Sequence, residues 1–260
     1  MSGDHDQPGR SELVDRYLGE VSSRLEALAA DARDGALDPA IALMVRAIDA
    51  GGVVQAFGTG HSEAFAMEIA GRAGGLVPTN KIALRDLVLH GGRGVELLGG
   101  SGLERDDSLV EELFDLSPVG RDDVFMIASN SGVNGSIVGL ALLAQARGHQ
   151  VIAVTSLEHT SQVEPKHPSG RRLCDVADVV LDNRAPFGDA TVQLSGGVAV
   201  GAVSSLTAAF LAQLLTIGVV QQLADRGAKP PVYLSANIPE GDEHNRKLED
   251  LYRDKIRREA

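Results

Sequence analysis

The stretch VVQAFGTGHSEAFAME, residues 53–68, holds the reading on which the fold turns. An uncharged apolar run ends at Gly58, Gly60 and Ser62 follow, and then a helical pattern begins. The same order returns in VFMIASNSGVNG, residues 124–135. Apolar runs of this kind lie at 52–57, 123–129, 150–156 and 178–183, each short, β-branched and nearly unbroken by charge. Strands covered by helices on both faces have this composition. Helical segments at 62–74, 106–116 and 134–147 separate the runs, and Gly120 and Gly148 punctuate two of the strand entries. Strand alternating with helix predicts βαβ units, right-handed crossovers and a parallel sheet, hence an α/β fold of three layers.

Outward from this centre the pattern changes. Residues 11–32 repeat apolar side chains at Leu13, Val14, Tyr17, Leu18, Val21, Leu25 and Leu28, one face of a helix. A second helix opens at LDPAIALMVRAID, where Asp38 can cap and Pro39 suits the first turn. The predicted division is a disordered tail at 1–10, a helical arm at 11–50, a ligand-binding α/β domain at 51–227 and a crossing segment with a terminal helix at 228–260. Pro230 and Pro231 interrupt helix in that crossing segment. Leu248, Leu251, Tyr252 and Ile256 give an apolar stripe over 242–257, and Glu243 can pair with Lys247 one turn on.

No charged residue stands between Asp189 and Asp225, a run long enough to cross a bilayer. It carries many Ser, Thr and Gln residues and has neither a basic flank nor an aromatic belt, so it reads as a buried helix over about 192–225. Gly197 and Gly201 have the spacing of close helix contact.

The net charge of −12 argues against nucleic acid or an anionic membrane as partner, while leaving room for a small anionic ligand in a local site. Aromatic residues make up only 3% and Trp is absent, so the core is aliphatic. Cys174 is the single cysteine; no disulfide framework is possible within the chain, and a reducing, cytoplasmic setting is the simpler expectation, given that MSGDHDQPGR is no signal segment. Nothing beside Cys174 marks it as a nucleophile, so it reads as a small packed residue.

The two turns carry the chemistry. Free amides at a helix start attract anions, and serine hydroxyls add donors. Ser62 stands at such a start after Gly60; Ser129, Asn130, Ser131 and Asn134 crowd around Gly132. Ser62 alone could be a helix cap, but two donor-rich turns at the carboxyl ends of parallel strands can face one crevice, where open α/β sheets bind ligands. Neither turn has a Walker lysine, and the first lacks the full dinucleotide fingerprint. A single phosphate monoester fits better than a nucleotide, and no cofactor is implied.

With these residues in view, the chain resembles the SIS (sugar isomerase) domain proteins, which bind phosphosugars. Their first loop reads Gly-x-Ser, here Gly60, His61 and Ser62; their second reads Ser-x-Ser-Gly-x-Thr, here Ser129 to Asn134, with Asn134 in place of the usual Thr. The segments GHSEAFAMEIAGRAGG, RRLCDVADVVLDNRAPFGDA and SANIPEGDEHN are similar to an uncharacterised subgroup related to phosphoheptose isomerase. The resemblance implies a flavodoxin-like sandwich, a homodimer or homotetramer, and active sites at subunit boundaries.

An aldose–ketose isomerase moves a proton at the carbon beside a carbonyl, which needs an acid or base near neutral pH. His61 lies inside the first loop. Glu68 lies on the following helix, although Arg72 occupies the position of the phosphoheptose isomerase glutamate and can pair with Glu68; Glu63 is a rival at the helix start. His244 lies in EGDEHN, and His90 precedes a Gly-rich loop with Arg93 that could close over a ligand. Asp189, after the fourth run, could bond sugar hydroxyls or cap the long helix, and Asn183 lies nearby. His159, Glu164 and His167 are not set on a defined face, so a metal site is not expected. A GxSxG elbow is absent. The reading is a phosphosugar-binding protein, foremost a sugar-phosphate isomerase. The alternatives are an amino-sugar or muramic acid phosphate etherase, a phosphosugar sensor without turnover, and an assembly protein built on the long helix.

Overall fold

The structure, a computed structural model, describes residues 9–258. Most of the expected disordered tail, residues 1–8, lies outside the described residues. Five parallel strands form one sheet: β1 (Val54–Gly58), β2 (Thr79–Ile82), β3 (Val124–Ala128), β4 (Val151–Thr155) and β5 (Val179–Asp182), in the order β2-β1-β3-β4-β5. β1, β3 and β4 are buried at every residue, as the unbroken apolar runs require.

Helices cover both faces. On one face lie α1 (Arg10–Arg33), α2 (Asp38–Asp49), α3 (Glu63–Ile69) and α10 (Ser204–Asp225). Met44, Phe65, Ile69, Leu211 and Leu215 meet Val54, Met126 and Ile152 of the sheet there. The other face carries α4 (Asp86–Leu89), α5 (Gly102–Arg105), α6 (Val110–Leu116), α7 (Gly135–Ala146) and α9 (Leu173–Val176), where Leu87, Leu113, Ile137 and Leu140 pack on Phe57, Phe125 and Ile127. Burial of each such large side chain contributes roughly 1.5–3 kcal/mol. The short α8 (Leu157–Ser161) follows β4 at the sheet's carboxyl edge, and α11 (Gly241–Asp250) closes the chain. The predicted three-layer sandwich is thus the observed one, with the strand order of flavodoxin-like sheets.

At the amino edge, the Asp123 carboxylate gathers the loops beneath the sheet. It accepts from the Val53 amide at 2.8 Å, the Gly120 amide at 2.8 Å and the buried Gln55 side chain at 2.7 Å.

Several boundaries differ from the sequence expectation. The apolar pattern does not predict β2, because Thr79, Asn80 and Lys81 interrupt it; β2 is an edge strand whose Asn80 side chain bonds the Lys255 carbonyl and the Arg257 amide. The long helix begins at Ser204, not near 192. The residues before it form an antiparallel hairpin, β6 (Ala190–Gln193) and β7 (Ala199–Ala202). Gly197 and Gly201 have φ of 76° each and serve the hairpin, not a helix of their own; Gly201 also lets Tyr17 of α1 approach, since a Cβ there would stand 2.8 Å from its ring. α3 ends at Ile69, short of the expected 62–74, and α11 stops at Asp250. α10 is the one helix among the described residues that is long and apolar enough to cross a membrane. Here its inner stripe, including Ala208, Leu211, Ala212 and Leu215, is buried in the core.

Candidate functional site

β1 and β3 are neighbours, yet the helices that follow them leave toward opposite faces, α3 to one and α7 to the other. The crevice between their starts is the topological switch point of the sheet. Its wall holds His61, Ser62 and Phe65 from the first turn, Ser129 and Asn130 from the second, Asn183 from the end of β5, and Ser204 and Ser205 from the start of α10. The two turns singled out in the sequence are therefore brought together.

Close backbone approach shapes both turns. A Cβ on Gly58 would stand 2.3 Å from the Ser62 carbonyl oxygen, and one on Gly135 would stand 2.1 Å from the Arg105 carbonyl oxygen. Neither contact is physically possible with a larger residue in place, so glycine is required for the first loop to fold back over its strand end and for the start of α7 to pack on the end of α5.

Several polar side chains of the two turns carry no internal hydrogen bond. Ser62 precedes α3, but its side chain makes no capping bond, and Asn134 likewise precedes α7 without capping it. Among the described residues, no hydrogen bond is formed by the side chains of His61, Ser62, Ser131 or Asn134. Ser62 is thus not a side-chain cap of α3. Ser129 Oγ accepts from the Gly132 amide at 3.1 Å and keeps its own proton to donate. The Asn130 side-chain oxygen accepts from Asn183 at 3.1 Å, which fixes both amides in the crevice wall. α7, twelve residues long, has no acidic residue in its own first turn; its start packs on the segment 104–107, where the Ser136 hydroxyl donates to the Glu104 carbonyl at 2.8 Å. The crevice itself holds about 10 Å³, room for one water-sized group. Any ligand larger than a water molecule would lie mostly outside this space, over the rim.

Other expected site residues are placed differently. The Glu68 carboxylate accepts from Arg72 and from Gln213 at 2.8 Å, clamping α3 to α10. Asp189 has φ of 69° and caps α10: its carboxylate accepts from the Val203 amide at 3.0 Å, the Ser204 amide at 2.8 Å and the Ser204 hydroxyl at 2.7 Å. In place of a direct wall contact, Asp189 holds Ser204 in the crevice wall. His244 Nε2 lies 3.0 Å from the Val232 carbonyl oxygen, and His90 is exposed behind α4; neither lines the crevice. Gly60, with φ of 54°, turns toward the Glu104 carboxylate, which accepts from the Thr59 hydroxyl at 3.3 Å.

Sequence reasoning does not single out Ser204, Ser205 or Glu104 as site residues. Ser204 and Ser205 lie inside the stretch that reads as mid-helix, and Glu104 has no local motif. No group of three or more metal-type ligands occurs among the described residues; His159 Nδ1 accepts from the Gly188 amide and His167 Nε2 lies 3.4 Å from Asp107. Burial, with Asp175 beside it, pushes the Cys174 thiol above its ordinary range, the reverse of nucleophile activation.

Comparisons with known proteins agree with this architecture. A family model described as SIS domain matches residues 16–156. A UPF0309 protein of Geobacillus thermodenitrificans is 35% identical over 245 residues, covering 94% of this chain and 96% of the relative. A phosphoheptose isomerase from Francisella tularensis superposes with a TM-score of 0.53 at 17% identity, over 82% of this chain and all 100% of that one. The protein c3406 of E. coli CFT073 gives a TM-score of 0.50 at 15% identity, over 84% of this chain and 94% of that one. At these identities the two structures speak for the fold alone.

Proposed function

The chain belongs to the SIS domain family, and from that premise we propose that it binds a phosphorylated sugar at the switch-point crevice and isomerises it by acid–base proton transfer. The observation that carries the reading is the pair of turns at adjacent strand ends, in which the Ser62, Ser131 and Asn134 side chains form no hydrogen bond among the described residues. Phosphate is the group such donors suit, since it presents several acceptor oxygens to hydroxyls and backbone N–H groups without needing a cation. In this reading Ser62, Ser129, Ser131 and the α7 amides hold the phosphate, with Asn134 donating from its side-chain amide. Asn130, half-buried in the crevice wall, would meet a sugar hydroxyl, and the buried Asn183 supports it from behind. His61, in the crevice wall and free of internal bonds, is the acid–base group best placed for the proton.

Glu68 is less well placed as the base, because it lies outside the crevice wall and Arg72 and Gln213 both bond one oxygen of its carboxylate. His244 and His90 could reach a ligand only across a subunit boundary. Self-association has support in exposed apolar side chains on neighbouring elements: Val14 and Leu18 of α1, and Val198 and Val200 of the hairpin, 44–61% exposed. Tyr17 of α1 ties these elements together by donating to the Ala202 carbonyl at 2.7 Å. A homodimer or homotetramer would cover this face.

Thermal stabilisation against a panel of sugar phosphates, with free sugars and inorganic phosphate as controls, tests the reading, since a ligand bound to the folded state alone raises the midpoint. One sugar phosphate should stabilise the chain, and Ser131→Ala should abolish the shift. Affinity unchanged in Ser131→Ala would overturn the phosphate assignment. Solvent deuterium entering the bound sugar separates an enzyme from an inert sensor, and product analysis separates isomerisation from ether elimination.

A further inference from the structure

On the β2 side of the molecule, away from the crevice, the structure contains a second cavity of about 380 Å³. This lies within the size range of small-molecule sites. Five cations line it: Arg72 after α3, Lys81 on β2, Arg85 after β2, and Arg257 and Arg258 from the terminal segment that crosses the sheet edge. Such a gathering runs against a net charge of −12.

Among the described residues, three carboxylates, Glu63, Glu68 and Asp86, stand within 4.0 Å of four of these cations. Lys81 Nζ and Arg85 Nη2 share a single oxygen of Glu63, at 3.7 and 2.5 Å. Arg72 pairs with Glu68, whose oxygen also serves Gln213. Asp86 spends its carboxylate on the Ala83 amide at 2.9 Å and stands 4.0 Å from Arg257. Arg258 donates to the Thr79 and Val77 carbonyls and to the Tyr233 hydroxyl, so its charge meets no carboxylate in these bonds. At the same cavity, Met67 and Leu89 leave 57% and 61% of their surface exposed. The cavity therefore gathers cations that share carboxylates, Lys81 and Arg85 on one oxygen of Glu63, beside an apolar wall.

We propose that this cavity is a binding site for an organic diphosphate, whose charged head engages Lys81, Arg85 and Arg72 and whose apolar body rests on Met67 and Leu89. Guanidinium groups match phosphate oxygens in pairs, and two linked phosphates span several cations at once. Glu63 is the internal competitor for the same cations. It is also the residue directly after Ser62, so an occupant would loosen the tie that holds the start of α3.

The test is calorimetric titration of the full chain with ADP and with inorganic pyrophosphate, adenosine serving as the uncharged control. The expected result is one site per chain for both anions, weakening steeply with salt, and no binding of adenosine alone. Arg85→Gln and Lys81→Gln should each weaken ADP binding about tenfold or more with the unfolding midpoint unchanged. Glu63→Gln should tighten it, because the competing carboxylate is gone. Ser131→Ala should bind ADP as the unaltered chain does, which keeps this site independent of the sugar-phosphate reading. Absence of heat with both anions overturns the proposal. So does binding that is lost in Ser131→Ala but kept in Arg85→Gln and Lys81→Gln, for then the anion sits in the crevice.

Discussion

Replacing Asp189 separates two roles that the sequence left open. Its carboxylate closes the start of α10 through the Val203 amide, the Ser204 amide and the Ser204 hydroxyl. Loss of a helix cap costs about 1–2 kcal/mol. Asp189 also sits at φ of 69°, a conformation that aspartate and asparagine tolerate better than alanine. Alanine there costs roughly 1 kcal/mol more. Asp189→Ala should therefore destabilise the fold by about 2–3 kcal/mol. For a chain of this length, 1 kcal/mol moves the midpoint by roughly 2–4 °C, so the expected fall is about 5–10 °C. Asp189→Gly removes the cap but relieves the backbone, and should lose about 1–2 kcal/mol. Asp189→Asn keeps one acceptor oxygen and a residue suited to the conformation, and should lose less than about 1 kcal/mol. Thermal and urea unfolding at neutral pH read the series, each variant measured with and without the sugar phosphate that stabilises the parent chain. The order Asn, Gly, Ala in increasing damage is the signature of a cap. If Asp189→Ala unfolds like the parent chain while ligand stabilisation vanishes, the capping argument is refuted and the carboxylate serves the sugar.

Three further outcomes follow from the geometry. Gly135→Ala would push a methyl group into the Arg105 carbonyl, 2.1 Å away; it should cost about 1–3 kcal/mol as overpacking and weaken sugar-phosphate stabilisation, and a variant that keeps both would contradict the close approach. Asp123→Ala strands the Val53 and Gly120 amides and the Gln55 side chain, so urea unfolding should show a loss of about 2–4 kcal/mol; a loss under about 1 kcal/mol would mean that water replaces the carboxylate. Burial pushes the Tyr233 phenol up to about 12, with Arg258 opposing the rise, whereas an unfolded tyrosine titrates near 10. Folding thus favours the protonated phenol: its contribution is complete below about pH 10 and is lost as pH rises toward 12. Stability measured across that window should fall less steeply in Tyr233→Phe than in the parent chain, by about 2 kcal/mol over the window; equal slopes would remove Tyr233 from the account.

The layered α/β architecture and both donor-rich turns are legible in the chain before it folds. Runs such as VFMIA, apolar at every position, have nowhere to go but between two helical layers, and glycine beside serine at a strand end marks a turn without any tertiary information. β2 is not legible, because Thr79, Asn80 and Lys81 look polar until residues 255–257 arrive to bond that edge. Nor does the pattern separate the hairpin from α10, since both are uncharged and apolar and only strand pairing distinguishes them. The strand order belongs to the folded molecule; it sets β1 beside β3 and so joins the two turns in one crevice. Folding also brings Ser204 to that crevice through Asp189, and takes Glu68 out of it by pairing with Gln213. The reason is common to all of these. Local pattern records whether a residue is buried, while the partner that satisfies a carboxylate or an edge strand comes from far along the chain, and only the folded arrangement selects it.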